Sequence, residues 1–400
     1  MRQAHLATPI GLQLPFNALE ETMNRLMPVV ATVPLLALAI PMATLAAEPH
    51  QTNAAQLALR WLNCTQQQPN GQIGSSGNPI ARSAEVVISL AASGRTASEF
   101  HHGASTLADY LKTVTALDVN KTSTPVGTNG VLLLARSLDT GTGPAAVPIA
   151  QLELAQTRTG DTKGEYGTDL FSDALAILGL SAAHQSPGSD AIAFLETHQN
   201  ATDHGWSYDN AGSFGSDSNT TALVIQALLA SGVAASDTHI TNGMQFLSTE
   251  FFNGGFVLEA DPTKPDTDAS KAPDANSDEL GIQAIVAAGV QGDEAWSSRL
   301  HSAELDLKSR QVASGPDTGA LSSFSKLFAT TEAPAAFLLG PLTATTRASS
   351  SLSLLPCPAA AAIPPALART GGGNGAPIAL FTGFLAVLAG LLLWRRPAVG

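Results

Sequence analysis

Residues 199–232 read QNATDHGWSYDNAGSFGSDSNTTALVIQALLASG. Three parts follow one another. Gly205-Trp206-Ser207-Tyr208 is a tight turn carrying two aromatics. Asp217-Ser218-Asn219-Thr220-Thr221 is a run of short polar side chains of the kind that cap helix N-termini. Ala222 to Ala230 is apolar almost throughout, and Gly232 stops it. The phrase returns 57 residues later. Asp274 to Asp278 stands for the cap, Gln283 falls on Gln226 and Gly289 on Gly232. A repeat of this kind decides the fold class before any single motif does.

Laid along the chain, the phrase fits about six times. Its cap position falls at Ser83, Gly130, Asp173, Thr221, Asp278 and Thr331, with gaps of 47, 43, 48, 57 and 53 residues. The second and sixth fits are poor. Each gap holds one helix–turn–helix unit. The helices that follow these positions (84–94, 131–141, 174–183, 222–232, 279–289 and 332–340) are apolar nearly all round, which marks helices buried on several sides. More amphipathic helices precede most of them, at Ala54–Gln67, Gly103–Thr115, Val147–Thr157, Asp190–Gln199 and Thr241–Phe251. The turns between carry glycine and a hydrophobe: Gly71-Gln72-Ile73-Gly74, Gly164-Glu165-Tyr166-Gly167, Gly205-Trp206 and Gly254-Gly255-Phe256. Inner and outer helices alternating six times predict an all-α fold, an (α/α)6 toroid over 48–342, since a closed ring leaves no end repeat exposed.

The whole chain has 400 residues and a net charge of −13, with 44% hydrophobic and only 13% charged residues. So acidic a chain, poor in Lys and Arg, argues against nucleic acid as a partner. The two cysteines, Cys64 and Cys357, can pair only if the tail folds back on the domain, so no essential disulfide is expected. No Cys/His cluster suggests a metal.

The two ends speak of location. Leu26 to Ala47 is an apolar run ending in small residues, as in a secretory signal over 1–47. Glu20 and Glu21 sit where such a signal wants positive charge, so the true start is expected at Met23 or Met27. At the other end, residues 376–394 are apolar and long enough to cross a bilayer, with Arg395 and Arg396 directly after. Upstream lies Leu367-Ala368-Arg369-Thr370-Gly371 with a glycine-rich spacer. The order of pentapeptide, spacer, apolar helix and arginines resembles a Gram-positive sortase sorting signal in its LAxTG form. That resemblance implies sortase and cell-wall peptidoglycan as partners, cleavage between Thr370 and Gly371, a membrane helix until cleavage, and an extracellular domain. A plain single-pass anchor is the alternative. Residues 343–366, rich in Ser, Thr, Ala and Pro, read as an extended spacer.

Trp61-Leu62 before QQQPNGQIG, the phrase SDSNTTALVIQALLASG, and Phe328 to Ala333 resemble the prenyltransferase and squalene-oxidase repeat family. The likeness covers roughly 50–345. It implies the α/α toroid of terpenoid cyclases, protein prenyltransferase β-subunits and cobalamin carriers. The family's catalytic marks are missing. There is no DxDD or DDxxD, Cys64 has no Asp two residues before it, no thioester GCGEQ occurs, and aromatics are 5% of the chain. No cofactor is therefore expected, and cobalamin enters as one ligand the resemblance suggests.

What remains is a set of polar residues at one end of the inner helices: Glu85, Asp169, Asp173, Asp217, Asn219, Asp274, Asn276, Asp278 and Glu279. Capping explains them. A ligand-gripping rim is the alternative, with Asp217, Asn219, Asp274, Asn276 and Asp278 as its residues and Gln226 and Gln283 as cavity-lining amides. Asp266, Asp268 and Asp274 to Glu279 could take calcium, though Lys271 intervenes; a solvated acidic loop is the simpler reading. His101, His102 and His204 lack partners at ligand spacing and are expected in solvent. The functional expectation is a non-catalytic surface toroid that binds a small molecule or surface ligand. The alternatives are a terpenoid-cyclase-like enzyme, a glycan-active enzyme using Asp217 and Asp274, and a structural or adhesive wall protein.

Overall fold

The computed structural model describes residues 51–358. The signal segment, the sorting pentapeptide and the apolar run 376–394 lie outside the described residues. Thirteen α-helices make up the described chain. They are α1 (Thr52–Trp61), α2 (Pro79–Ala92), α3 (Leu107–Thr113), α4 (Ala116–Val119), α5 (Pro125–Leu138), α6 (Ala146–Ala155) and α7 (Leu170–Ala182). They continue with α8 (Ser189–Thr197), α9 (Ser218–Ala230), α10 (Thr238–Thr249), α11 (Ala275–Ala287), α12 (Glu294–Ser309) and α13 (Lys326–Phe337). Strands are confined to two antiparallel two-residue ribbons in the turns. In one, β1 (Trp206–Ser207) pairs with β2 (Ser216–Asp217); in the other, β3 (Phe251–Phe252) pairs with β4 (Gly255–Phe256). The protein is all-α.

The six helices expected to be buried are α2, α5, α7, α9, α11 and α13. They touch in cyclic order: α2 on α5, α5 on α7, α7 on α9, α9 on α11, α11 on α13, and α13 back on α2. On the far side of this set, α6 packs on α5, α10 on α9 and α12 on α11, while α1 packs on α13. Buried residues run almost unbroken along the inner helices, as in Ser218 to Leu228 of α9. The most intimate pair is α5 with α7, and glycine permits it. A Cβ on Gly130 would stand 2.4 Å from the carbonyl carbon of Leu175. The carbonyl oxygen of Gly130 in turn fills the place a Cβ on Gly179 would need.

Five of the six inner helices end alike, α5 being the exception. After α9, Gly232 takes φ +92° and the N–H of Val233 donates to Leu228 O at 3.1 Å. The same six-to-one bond closes α2, α7, α11 and α13. This motif uses up carbonyls that the last turn leaves free. His184 and Leu339 hold the positive-φ position after α7 and α13, where glycine is the usual residue.

Three expectations are corrected here. The first is the start of each inner helix, which comes four to six residues earlier than the apolar pattern predicts. The N-caps are Asn78, Thr124, Asp169, Asp217, Asp274 and Ser325, not Ser83, Gly130, Asp173, Thr221, Asp278 and Thr331. The second concerns the outer helices. The expected helix 103–115 is the shorter α3 followed by α4, and the first outer helix passes into a π turn over Leu62–Gln66. The sixteen-residue α12 has no counterpart in the sequence reading; it rests on the core through one narrow stripe, Trp296, Leu300, Ala303 and Leu307, among mostly polar residues.

The third is the tail. Cys64 and Cys357 are joined by a disulfide. The segment expected as an extended spacer lies on the helices over its described part. Leu342 N–H donates to Gln226 Oε1 (2.9 Å), Ala348 N–H to Ala91 O (2.9 Å) and Leu352 N–H to Ser93 O (2.8 Å). Gln56 Nε2 donates to Ser353 O at 2.9 Å. Leu342, Leu352 and Leu354 pack on the core. Composition alone suggested a solvated tether, but Leu352 and Leu354 within it, with Leu342 just before it, supply the apolar area that holds it down.

Candidate functional site

The residues expected as caps form a repeated device of another kind. Four of the six sit one turn inside their helices and reach back to the preceding turn. Ser83 Oγ accepts from Ile73 N–H at 3.0 Å, and Thr221 Oγ1 from Trp206 N–H at 2.9 Å. Asp278 Oδ1 accepts from Phe256 N–H at 2.7 Å. Asp173 Oδ1 accepts from Tyr166 and Gly167 N–H at 3.0 and 2.7 Å. In the last unit Thr330, rather than the expected Thr331, accepts from Leu321 N–H at 2.9 Å. The turn hydrophobes so held are all buried. These oxygens are pins between turn and inner helix, because a buried backbone N–H must find an acceptor.

The seven proposed ligand-binding residues divide accordingly. Asp217 accepts from Thr220 N–H (2.7 Å), and Asp274 from Asn276 and Ser277 N–H (both 3.1 Å). Both are N-caps, and that accounts for their chemistry without a catalytic pair. Asp278 is a pin. Burial, and then the Asp306 carboxyl of α12, hold its proton well above the usual carboxylate range. Gln226 is buried, with its oxygen on Leu342 N–H, so it anchors the start of the docked tail. Asn219 is half-buried. Asn276 and Gln283 stand apart. Both are 2% exposed, and neither amide of Asn276 nor the Gln283 oxygen has a hydrogen-bond partner.

Asn276 and Gln283 share one face of α11, opposite the face of Gly281 that meets Phe256. Glu279, between them, is fully buried and neither of its oxygens has a partner. Burial raises its pKa well above the ordinary value, and the charges of Glu332, Asp274, Asp278 and Glu85 add to this. Glu85 is pushed up to about 8 by burial, against the opposing pull of Arg82, whose guanidinium lies 2.6 Å from it. Thr331 Oγ1 donates to the same Glu85 oxygen at 2.7 Å, across the α13–α2 seam. Burial likewise raises Glu332. Glu85 therefore holds its proton near neutral pH, and burial shifts Glu279 and Glu332 in the same direction. Glu332 and Arg82 were missed in the sequence reading, although the Arg82–Glu85 spacing of three was a legible signal.

A second acidic group lies at the opening turns of α7, α9 and α11. It comprises Glu165, Asp169, Asp173, Asp203, Asp209, Asp217, Glu250 and Glu259. Among the described residues none of the eight joins an ion pair. Burial pushes Asp173 up to about 8, Glu250 to about 7 and Asp217 to about 6, with neighbouring carboxylates adding to each. Beside them, and unlike the buried turn aromatics, Tyr208, Phe214 and Leu258 are exposed, Phe214 by 58%. Tyr208 meets Phe214 edge-on at 6.4 Å and Phe171 at 6.3 Å. An open cleft of about 400 Å³ adjoins them, lined by Pro125, Val126, Glu165, Tyr166, Asp169 and Ser172.

His101 and His102 are exposed as expected, whereas His204 is half-buried at φ +69°. Asp266 is bonded to Lys271 Nζ (3.0 Å), and Asp268 accepts from Ser270 N–H. Among the described residues no three His, Cys, Asp or Glu side chains gather in a way that could hold a metal ion.

No protein-family model matches the chain, and no curated protein is significantly similar to it.

Proposed function

We propose that the chain is an (α/α)6 toroid, anchored at a Gram-positive cell surface, that binds a ligand without transforming it. The cyclic order of contacts among α2, α5, α7, α9, α11 and α13 supports ring closure. The surface location rests on the sequence of the two ends, with the sortase motif Leu367 to Gly371 and the apolar run 376–394. The observation that carries binding is the uncovered aromatic corner of Tyr208 and Phe214 among carboxylates that make no ion pair. Such a surface leaves apolar area in water and like charges uncompensated, and an occupant relieves both. Cobalamin remains a ligand to test on the strength of the family resemblance alone.

The test places a photo-crosslinking side chain at Phe214 of the protein on intact cells. A discrete adduct at 214, absent when the same group stands at the exposed Leu154, is the expected result. Equal labelling at both positions would remove the reading. A spectrophotometric titration of the purified protein with cobalamin tests the specific ligand; an unshifted spectrum eliminates it.

A further inference from the structure

We infer that the rim formed by Phe171, Tyr208 and Phe214, with the adjoining cleft, docks an arginine-rich segment of a partner protein. The inference rests on the binding reading above and names the occupant's chemistry.

The first argument is charge. Glu165 and Asp169 line the cleft, Asp209 and Asp217 flank Tyr208, and Glu259 lies beyond Phe214, its oxygen 3.4 Å from where a Cβ on Gly215 would stand. Two cations near this end of the molecule are engaged elsewhere. Lys163 pairs with Asp190 at 3.0 Å, and Arg158 donates to Glu153 O at 3.1 Å. Some acids elsewhere on the surface are matched, as in Arg95–Glu99, Lys112–Asp109 and Lys121–Asp118, whereas those of the rim are not. The rim therefore carries net negative charge. A cationic occupant complements it, and an anionic one meets repulsion.

The second argument is shape. Two rings set edge-on at 75° form a corner that stays partly in water, Phe214 by 58% and Tyr208 by 43%. A guanidinium stacks on an aromatic face and offers a planar fork of donors to the carboxylates alongside. The molecule already uses this contact internally, with Arg82 over the Phe328 ring at 4.1 Å while pairing with Glu85. The third argument is extent. The rings, the cleft and the free Glu259 spread over several side chains, which suits a chain segment better than a single small ion. Nothing in the fold requires Phe214 or Leu258 to be apolar, since both are exposed.

The experiment measures fluorescence anisotropy of a labelled nona-arginine peptide titrated with the full-length protein. Binding that weakens with added salt is expected. Phe214→Ser alone, Tyr208→Ser alone and Glu259→Gln alone should each weaken it, the aromatic variants by about tenfold. Glu259 makes no hydrogen bond within the described residues and lies on the surface, so Glu259→Gln keeps the test valid even where an aromatic variant unfolds. The control Asp293→Asn with Glu294→Gln removes two exposed charges at the start of α12, beyond the far end of α11 from the rim, and should leave affinity unchanged. Absent binding overturns the inference, as does equal weakening in the control. Spermine binding where the peptide does not would overturn it too, leaving a small-cation site. A crosslink at 214 without peptide binding sinks this inference while the binding reading stands; loss of both sinks both.

Discussion

Thr221 shows how one hydroxyl serves two elements at once. Its Oγ1 lies a turn inside α9 and takes the N–H of Trp206, whose indole Nε1 donates to Leu195 O at 2.7 Å. Trp206 is fully buried, so both donors depend on protein partners. Thr221→Val keeps the shape and removes the acceptor. It should destabilise the fold by about 1–3 kcal/mol in urea denaturation, and Thr221→Ser should recover most of that. A serine variant as damaged as the valine one would show that packing, and not the bond, holds the turn. At this scale the sequence was half legible. The repeated oxygen-bearing position was visible at Ser83, Asp173, Thr221 and Asp278, but it read as a cap. Caps and pins use the same residue types, and both precede an apolar run. Only the register, one turn apart, separates them, and the true caps Asp169, Asp217 and Asp274 stand four residues earlier.

Helices and segments carry the next set of consequences. The contact of α5 with α7 depends on Gly130, because the backbone of Leu175 occupies the space of any side chain there. Gly130→Ala should force the pair apart and cost about 2–3 kcal/mol or more, although alanine is the better helix former. A Gly130→Ala protein with unchanged or higher melting temperature would contradict the close approach. The docked tail is the other element with a clear test. Cys64 and Cys357 are 293 residues apart, so their bond closes almost the whole domain into a loop. Cys357→Ser should lower stability by about 2–4 kcal/mol and raise hydrogen exchange over 342–357 while sparing α9. If exchange in the tail stays as slow as in the wild type, the leucines and not the disulfide hold it. The docked tail was not readable in advance, because its partners lie in α2 and α1, far off in sequence, whereas α12 carries the helically spaced stripe Trp296, Leu300, Ala303 and Leu307 and was missed. The inner helices were readable because their burial is nearly total and local composition alone records it.

Taken whole, the helical domain buries more carboxyl groups than its cations neutralise among the described residues, and this sets its response to pH. Glu85, Asp173, Glu250 and Asp217 are raised to about 8, 8, 7 and 6, and Glu279, Asp278 and Glu332 are raised as well, burial being the first cause in each. Arg82 is the cation that opposes this at Glu85 and Glu332, and Arg310 does so at Asp278. A group raised in the folded state binds its proton more tightly there than in the unfolded chain. Its favourable contribution is complete below the unfolded value near 4.5 and is lost as pH climbs through the folded value. The surface carboxylates Glu99, Asp109 and Asp118 are lowered by their capping bonds, so they act in the opposite sense, only below about pH 4. Between about pH 4.5 and 8 the raised groups govern, and thermal stability should fall steadily across that window. Calorimetry at pH 5, 6.5 and 8 measures it. Glu279→Gln sharpens the test, because the amide cannot ionise and Glu279 has no partner to lose. The variant should melt higher than the wild type at pH 8 and depend less on pH. A wild-type protein more stable at pH 8 than at pH 5 would mean that the buried carboxyls are ionised and compensated in the folded domain, and that the interior contains a cation the described residues do not supply.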